Sequence, residues 1–454
     1  MKKFVFIFLF SVLSTINYQL PTYLQADEVA LTVYNQNLGL VREVREMELK
    51  GGVTSLELRD VAAYLDPTSL HFKSLTASES VTILEQNFEY DLVSREKLLE
   101  KYIDREVEIR NVKEEKGAVI KGILLSKSGG LVVKSGDRLY LNPEGMVILP
   151  ELPKDFITKP TLKWLLRNDK PGKHDIEISY LTSGIDWKAD YVFAVNKENT
   201  KADLNVWVTL DNKSGKTYEE AKLKLVAGDV HRAEPERKMM RQRTMVLEDT
   251  VGAPGFQEKD FFEYHMYTLG RKTTVKDNEM KQVEFAGGAG IPVSKVFVYE
   301  GQKNAKKVLV KIEFENKKEN SLGIPLPKGR VRVYQPDDDG SLIFIGEDEI
   351  DHTPKDEKLS LAVGNAFDIT GERKQTQSQS GNDWRQESYE ITLKNHKKEE
   401  AEVKVRESFW NWNNWKVLNA SPLFRKIDSR TIEFVAKIPP SGETKVSYTV
   451  KYWW

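Results

Sequence analysis

The sequence predicts a mainly β protein of antiparallel β-sandwich domains, with an inserted small SH3- or Sm-like barrel and one short helix. Apolar and polar residues alternate in many segments, for example Leu204–Leu210, Val308–Phe314 and Val446–Trp454. Turn residues such as Asn and Gly bound these segments. Alternation between turns is typical of strands in antiparallel sheets that bury one face and expose the other.

The first 26 residues predict export. Lys2 and Lys3 precede the apolar run Phe4–Phe10, and the small residue Ala26 stands before Asp27. This order is that of a secretory leader, and its apolar part has about half of the roughly 20 residues that a membrane span needs. We therefore expect residues 1–26 to be a signal peptide. We expect the mature chain to be soluble, without a transmembrane segment, in the periplasm or outside the cell.

Charge and cysteine content exclude several classes of function. The leader contains two of the 68 basic residues and none of the 69 acidic ones, so its removal changes the net charge from −1 to −3. A chain so close to neutral has no general attraction for nucleic acid. Because cysteine is absent, we exclude disulfides, thiolate metal sites, a cysteine nucleophile and a lipid anchor on an N-terminal cysteine.

The N-terminal part of the mature chain divides into a β region at residues 27–93 and a short helix plus small barrel at residues 94–150. Ser94 can cap a helix that runs from Arg95 to Tyr102. Five short strand candidates then follow between turns: Val107–Val112, Val119–Leu124, Leu131–Lys134, Leu139–Leu141 and Met146–Leu149. Residues 103–150 carry eight basic and seven acidic side chains. Phosphate binding needs a clear positive excess, so we expect a spacer or a peptide-binding module here and no nucleic-acid partner.

The rest of the chain divides into a β-sandwich at residues 151–230, a long loop at residues 231–260 and a C-terminal β-sandwich at residues 261–454. A second long loop is expected over Gly371–Arg385, which is rich in Gln, Ser and Gly. Loops of this length are functional or disordered.

A strand that ends in Asn and a turn recurs three times, at Asn212, Asn316 and Asn395. Asn tolerates the left-handed backbone that tight turns need. The recurrence predicts three hairpin-like units. They could come from internal duplication, or the pattern could simply be common in all-β proteins.

One candidate site lies at the end of a long strand. Leu359, Leu361, Val363, Phe367 and Ile369 keep one parity, which predicts a single strand through this region. Asp368, Glu372 and Arg373 could form a polar binding site at its end. The alternative is an exposed ion pair beside the loop.

A second candidate site is the tryptophan cluster Trp410, Trp412 and Trp415, which is interleaved with Asn. Exposed indole rings can stack on the apolar faces of sugars, while amides can bond their hydroxyl groups. The alternative is core packing where two sheets meet, because Trp buries a large surface.

The sequence gives no metal, cofactor or nucleophile motif. Acidic residues crowd from Asp337 to Asp351 beside His352, but their spacing is not that of a calcium loop, and Asp337–Gly340 is expected to be a hairpin turn. The nucleophile elbow, the zinc-protease helix motif and the phosphate-binding loop are missing. We therefore predict no cofactor and no metal site, and a non-enzymatic role is favoured over a hydrolase.

Five strings together resemble a known family. They are Tyr34–Arg42, Ser179–Tyr191, Val226–Val230, Tyr264–Leu269 and Gly364–Lys374. Their order and spacing resemble those of a secreted bacterial family known only as a domain of unknown function. The family is similar to the C-terminal region of mucoidy inhibitor A-like proteins. The resemblance implies a β-rich envelope protein and assigns no catalytic residue.

These observations predict a secreted protein with a binding or structural role in the cell envelope, with an envelope protein or a glycan as its partner. The alternative is a carbohydrate-binding or glycan-processing protein that uses the tryptophan cluster.

Overall fold

The computed structural model describes residues 28–90, 94–110, 119–151, 159–228, 230–231, 256–261, 264–409 and 414–454. The predicted leader and most of the predicted loop at residues 231–260 lie outside these described residues. The chain forms two compact units. Of the described residues, one unit comprises 28–29 and those of Arg42–Tyr180, and the other comprises those of Ala30–Val41 and Leu181–Trp454.

The strands up to Thr182 are β1 (Glu28–Tyr34), β2 (Leu38–Leu49), β3 (Gly52–Arg59), β4 (His71–Ser74), β5 (Val81–Glu89), β6 (Glu106–Arg110), β7 (Val119–Ser126), β8 (Val132–Ser135), β9 (Arg138–Leu141), β10 (Met146–Ile148), β11 (Thr161–Asn168) and β12 (Gly172–Thr182). Within the described residues the single α-helix is α1 (Arg95–Lys101). Three-residue 3-10 turns lie at Pro67–Ser69, Ser78–Ser80 and Lys318–Asn320.

The strands after Thr182 are β13 (Ile185–Val195), β14 (Lys201–Asn212), β15 (Tyr218–Ala227), β16 (Phe256–Phe261), β17 (Tyr264–Leu269), β18 (Thr273–Val275), β19 (Glu279–Pro292), β20 (Ser294–Tyr299), β21 (Lys307–Glu315), β22 (Gly329–Pro336), β23 (Leu342–Ile350), β24 (Lys358–Ser380), β25 (Trp384–Asn395), β26 (Ala401–Ser408), β27 (Asn414–Ser421), β28 (Phe424–Lys426), β29 (Thr431–Ile438) and β30 (Glu443–Trp453). The predicted fold class, mainly β with one short helix, is confirmed.

The first unit contains the helix and the five short strands that follow it. Ser94 accepts a hydrogen bond from the Lys97 backbone N–H and so caps α1, as predicted. The five strands form one antiparallel sheet in the order β10-β6-β7-β8-β9. β10, the last of the five in sequence, thus pairs with β6, the first. Leu99 of the helix packs with Val107 and Leu124 of the strands in a small apolar core. A second sheet of this unit has the order β3-β11-β5.

The second unit contains two large sheets. One has five strands in the order β19-β14-β13-β22-β23, and the other has nine in the order β27-β30-β25-β24-β21-β20-β26-β29-β28. Most neighbours are antiparallel, but β13 and β22 are parallel, as are β20 and β26. A further group in this unit pairs β1 with β15 in parallel and β15 with β17 antiparallel.

The two halves of the nine-stranded sheet enclose one core. Ile391 and Val446 lie on the β25–β30 side, and Val403 and Phe434 lie on the β26–β29 side of the same buried cluster. The period-two alternation places these residues inside. The arrangement is that of a β-sandwich made by one sheet folded over itself.

The asparagines at the strand ends form hydrogen bonds with backbone groups where the chain leaves the sheet, and Asn395 is an example. Its side chain is buried, and its amide donates to the backbone oxygens of Glu399 at 2.8 Å and Pro439 at 3.2 Å. Its Oδ1 accepts from the Lys397 backbone N–H at 3.0 Å. The chain leaves the β-ladder at this point, and buried backbone groups there need other partners. Asn395 provides them.

The same buried arrangement occurs at Asn212 and Asn316, and also at Asn168, which the sequence pattern did not identify. Strands on the two sides of each turn do not pair with each other. The hairpin interpretation of these units is therefore wrong, because the chain crosses here between non-neighbouring strands.

Two local predictions have clear outcomes. The turn at Asp337–Gly340 joins β22 to β23, as predicted. The loop predicted over Gly371–Arg385 is wrong, because β24 continues to Ser380 and β25 starts at Trp384. Pairing of the backbone with β25 extends this strand, although its side chains are polar.

None of the helices in the described ranges has the length and hydrophobicity required to cross a bilayer.

Candidate functional site

A partly buried arginine and a fully buried glutamate form the central polar cluster of the second unit. Arg373 lies on β24 with the inward parity of Ile369 and Gly371, and Glu407 lies on β26. The Arg373 Nε lies 3.1 Å from one carboxylate oxygen of Glu407 and 2.9 Å from the other. The Glu407 side chain is 0% exposed and that of Arg373 is 17% exposed. The pair therefore joins two strands inside the sandwich.

Tyr448 on β30 and Gln302 complete the shell around this carboxylate. The Tyr448 hydroxyl donates to Glu407 Oε2 and accepts from a terminal nitrogen of Arg373 at 3.1 Å. The amide nitrogen of Gln302, an exposed residue, lies 3.4 Å from Glu407 Oε2. We call Arg373, Glu407, Tyr448 and Gln302 the buried cluster, after the fully buried carboxylate of Glu407 that they share. Its carboxylate is surrounded by donors from β24, β30 and the segment after β20.

Aromatic rings hold the guanidinium in place. Its central carbon lies 3.7 Å from the ring centroid of Tyr389, a distance at which cation–π attraction is strong. Tyr389 stacks on Tyr448 with 5.3 Å between centroids, and its hydroxyl donates to Glu387 at 2.7 Å. Gly371, two residues before Arg373, leaves room for the ring of Tyr299, because a Cβ at Gly371 would lie 2.4 Å from that ring.

Burial controls the protonation of these groups. It raises the pKa of Glu407, while Arg373 and the Tyr448 hydroxyl oppose the rise. Burial, followed by the charge of Glu407, raises the pKa of Tyr299 to about 12 and that of Tyr448 still further. Both tyrosines are therefore neutral at physiological pH. Neither is prepared to act as a base or a nucleophile.

The long strand around Arg373 is confirmed, but it separates the three predicted polar residues. Asp368 and Glu372 have the opposite parity to Arg373 and are exposed, whereas Arg373 points into the sandwich. Phe367 is 95% exposed although Ile369, of the same parity, is fully buried. The pairing of β24 with β21 shifts register twice, between Ala362 and Gly364 and again between Asn365 and Thr370. Phe367 lies within the second shift, where the alternation of inward and outward side chains is interrupted.

Trp415 packs against the same core. Its ring lies 4.5 Å from that of Phe409, the Nζ of Lys426 lies 4.8 Å from its centroid, and its Nε1 donates to the Ser429 oxygen at 3.2 Å. Phe409 also contacts Tyr448 of the buried cluster. Trp415 and Arg373 thus belong to one packed core. Trp410 and Trp412 lie outside the described residues.

Glu407, Tyr448, Gln302 and Tyr389 were missed in the sequence. The burial of Glu407 could have been predicted from the sequence, because this residue has the same parity as Val403, Val405 and Phe409 on a buried strand face. A carboxylate on the apolar parity of a strand predicts a buried cationic partner. The identity of that partner could not be read in the same way, since Arg373 is far away in sequence.

His352 is engaged by hydrogen bonds. Its Nδ1 accepts from the Lys328 backbone N–H at 3.1 Å, and its Nε2 lies 3.1 Å from the Asn35 amide. The described residues contain no group of three or more His, Asp or Glu side chains that could hold a metal ion.

Four of the five segments that resemble the family lie next to one another in the second unit. Asn37 accepts from the Gly184 backbone N–H at 2.9 Å, and the Trp187 indole donates to the Val226 oxygen at 3.2 Å. Val226 pairs with Tyr34 on one side and with Met266 on the other. Four of the five strings are therefore structural neighbours.

Residues 176–410, just over half of the chain, match the model of a family described as Domain of unknown function (DUF4139). The chain belongs to this family. Arg373 and Glu407 lie within the DUF4139 match, and Tyr448 lies beyond it. No curated protein matches the chain.

Proposed function

We propose that this DUF4139 protein is an exported, non-enzymatic protein that binds a component of the cell envelope. The leader-like first 26 residues and the resemblance to mucoidy inhibitor A-like proteins support the compartment. The closed shell around Glu407 supports the absence of catalysis.

The closed shell is the observation that carries the proposal. Active sites hold a polar group next to an open position that a substrate can occupy. Here the carboxylate of Glu407 is enclosed by Arg373, Tyr448 and Gln302, and the guanidinium is stacked on Tyr389. The buried cluster therefore serves as a clamp between strands of the sandwich and leaves the outer surfaces for binding.

Two measurements test this proposal. The mature chain should sediment with insoluble envelope material, and it should show no turnover on a broad panel of hydrolase substrates. Turnover of any of these substrates by the wild type would refute the non-enzymatic role, and its loss in a folded Glu407→Gln variant would place the reaction at the buried cluster. For export, residues 1–30 fused to a reporter that is active only outside the cytoplasm should give activity, and the Lys2/Lys3→Glu variant should give less.

The alternative of glycan binding at Trp410, Trp412 and Trp415 loses support at Trp415. One side of this ring faces Phe409, and Lys426 lies close to it. A Trp415→Ala variant should therefore lose stability more than it loses binding.

A further inference from the structure

The outward face of the nine-stranded sheet has an unusual composition at β25, β30 and β27. β25, β30 and β27 are adjacent, and paired residues project to the same side of the sheet. Tyr389 and Tyr448 point into the core, so residues of the other parity point outward. The outward residues that pair across β25, β30 and β27 form rows over the three strands.

The first outward row contains two tryptophans. Trp384 pairs with Trp453, and Trp453 pairs with Asn414. Trp453 is 41% exposed. Gly381 in the preceding turn lies against the Trp384 indole, where a Cβ would come within 2.4 Å of Nε1. Trp384 is thus fixed by the turn, and Trp453 is accessible beside it.

The second outward row is cationic and polar. Gln386 pairs with Lys451, and Lys451 pairs with Lys416. The Nζ of Lys451 lies 4.8 Å from the Trp384 ring centroid. We call these two rows, Trp384, Trp453, Asn414, Gln386, Lys451 and Lys416, the outer platform. It contains indole rings, amides and two ammonium groups, and it contains neither a carboxylate nor an aliphatic side chain.

This composition fits a polysaccharide better than a protein partner. Protein interfaces are built around a desolvated apolar centre, and charged residues are depleted there. Indole faces can instead pack on the C–H faces of sugar rings, and amides and ammonium groups can bond hydroxyl groups. These two rows contain two ammonium groups and no carboxylate, which favours a ligand that is itself negatively charged.

We infer that the outer platform binds an acidic polysaccharide, with sugar rings against Trp453 and carboxylate groups near Lys416 and Lys451. The inference rests on the proposed binding function and specifies its site and the class of ligand.

Affinity electrophoresis and calorimetry with polygalacturonate, and with dextran as the neutral comparison, test this inference. Polygalacturonate should bind and dextran should bind more weakly. Trp453→Ala should weaken binding about tenfold, the equivalent of about 1.4 kcal/mol. Lys416→Gln should weaken it and reduce its dependence on salt.

Two matched controls come from the same unit. Trp207 is an exposed tryptophan on β14, and Lys445 lies on β30 with its Nζ 3.1 Å from Glu390. Trp207→Ala and Lys445→Gln should leave polygalacturonate binding unchanged. Because Trp453 is partly exposed, its replacement should also leave the unfolding midpoint close to that of the wild type.

Absence of binding to polygalacturonate and to every other acidic glycan on an array would overturn the inference, as would equal binding by Trp453→Ala. If the wild type and Trp453→Ala still sediment equally with envelope material, the inference fails while the proposed function stands. Turnover by the wild type would instead remove the proposed function.

Discussion

Replacing Arg373 by methionine removes the cation from a fully buried carboxylate while keeping much of the side-chain volume. The Glu407 side chain has no exposed surface, so water cannot take over the role of the guanidinium. The methionine side chain cannot make the Nε–carboxylate interaction at 2.9 Å or the hydrogen bond to Tyr448 at 3.1 Å. The expected effect is therefore a large loss of stability.

Removal of one partner of a buried ion pair costs about 3–5 kcal/mol. Tyr448 and Gln302 still donate to Glu407 in the variant, so we expect a loss near the lower end, about 3 kcal/mol. This is a large part of the roughly 5–15 kcal/mol by which domains are usually stable. Urea unfolding followed by tryptophan fluorescence measures it.

The loss should depend on pH. Burial already raises the pKa of Glu407, and loss of Arg373 raises it further. Between the unfolded pKa and this raised folded pKa the folded variant holds the extra proton, so its stability falls as pH rises through that window. The difference between wild type and variant should therefore be largest at neutral pH and shrink as the solution becomes acidic.

A matched control is Lys445→Met, because Lys445 and Glu390 form an exposed pair on the same sheet. It should cost less than about 1 kcal/mol. A cost for Arg373→Met as small as that of Lys445→Met, or a cost that grows as pH falls, would refute the description of Glu407 as a buried, charged acceptor.

Three further predictions concern the frame around the cluster. Asn395→Ala should lower the free energy of unfolding in urea by about 2–4 kcal/mol, because it leaves buried backbone groups without partners. The control variant Asn419→Ala, at an exposed position, should be nearly neutral. Equal effects of the two variants would contradict the role of Asn395. Gly371→Ala places a Cβ 2.4 Å from the Tyr299 ring and should cost about 1–3 kcal/mol, while Gly364→Ala, with no atom within 4 Å, should change stability by less than about 0.5 kcal/mol. Burial raises the pKa of Tyr299 to about 12, so the difference between the ultraviolet titrations of the wild type and a Tyr299→Phe variant should show one tyrosine ionising near pH 12. Its contribution to stability should fall as pH rises from about 10 to about 12. A difference that appears near pH 10 would contradict the burial of this hydroxyl.

Alternation of side chains was enough to predict many of the strands, although it did not predict which strands pair. The segment Val446–Trp454 covers most of β30, which runs from Glu443 to Trp453, and the five short strands after α1 lie close to their predicted bounds. The periodicity succeeds because each half-buried strand must present an apolar face to a core. The composition of Gly371–Arg385 predicted a loop, which is wrong. Most of this segment is a strand because its backbone pairs with β25, and not because its side chains are buried.

The candidate site was only partly predictable. Parity could have separated Arg373 from Asp368 and Glu372, since residues one or five positions apart on a strand face opposite sides. Contacts between Arg373, Glu407 and Tyr448 could not be inferred, because they depend on how distant strands are stacked. The asparagines were recognised as a pattern, but their role in crossing between strands became visible only through their backbone partners.

The most direct test of the account is whether the buried cluster can be removed without loss of binding. The double variant Arg373→Met/Glu407→Gln keeps an acceptor for Tyr448 and leaves no charge within the buried cluster, so it should be more stable than Arg373→Met alone. Its co-sedimentation with envelope material should equal that of the wild type. A folded double variant that no longer binds would show that the cluster is itself part of the binding site, and would contradict its role as a clamp.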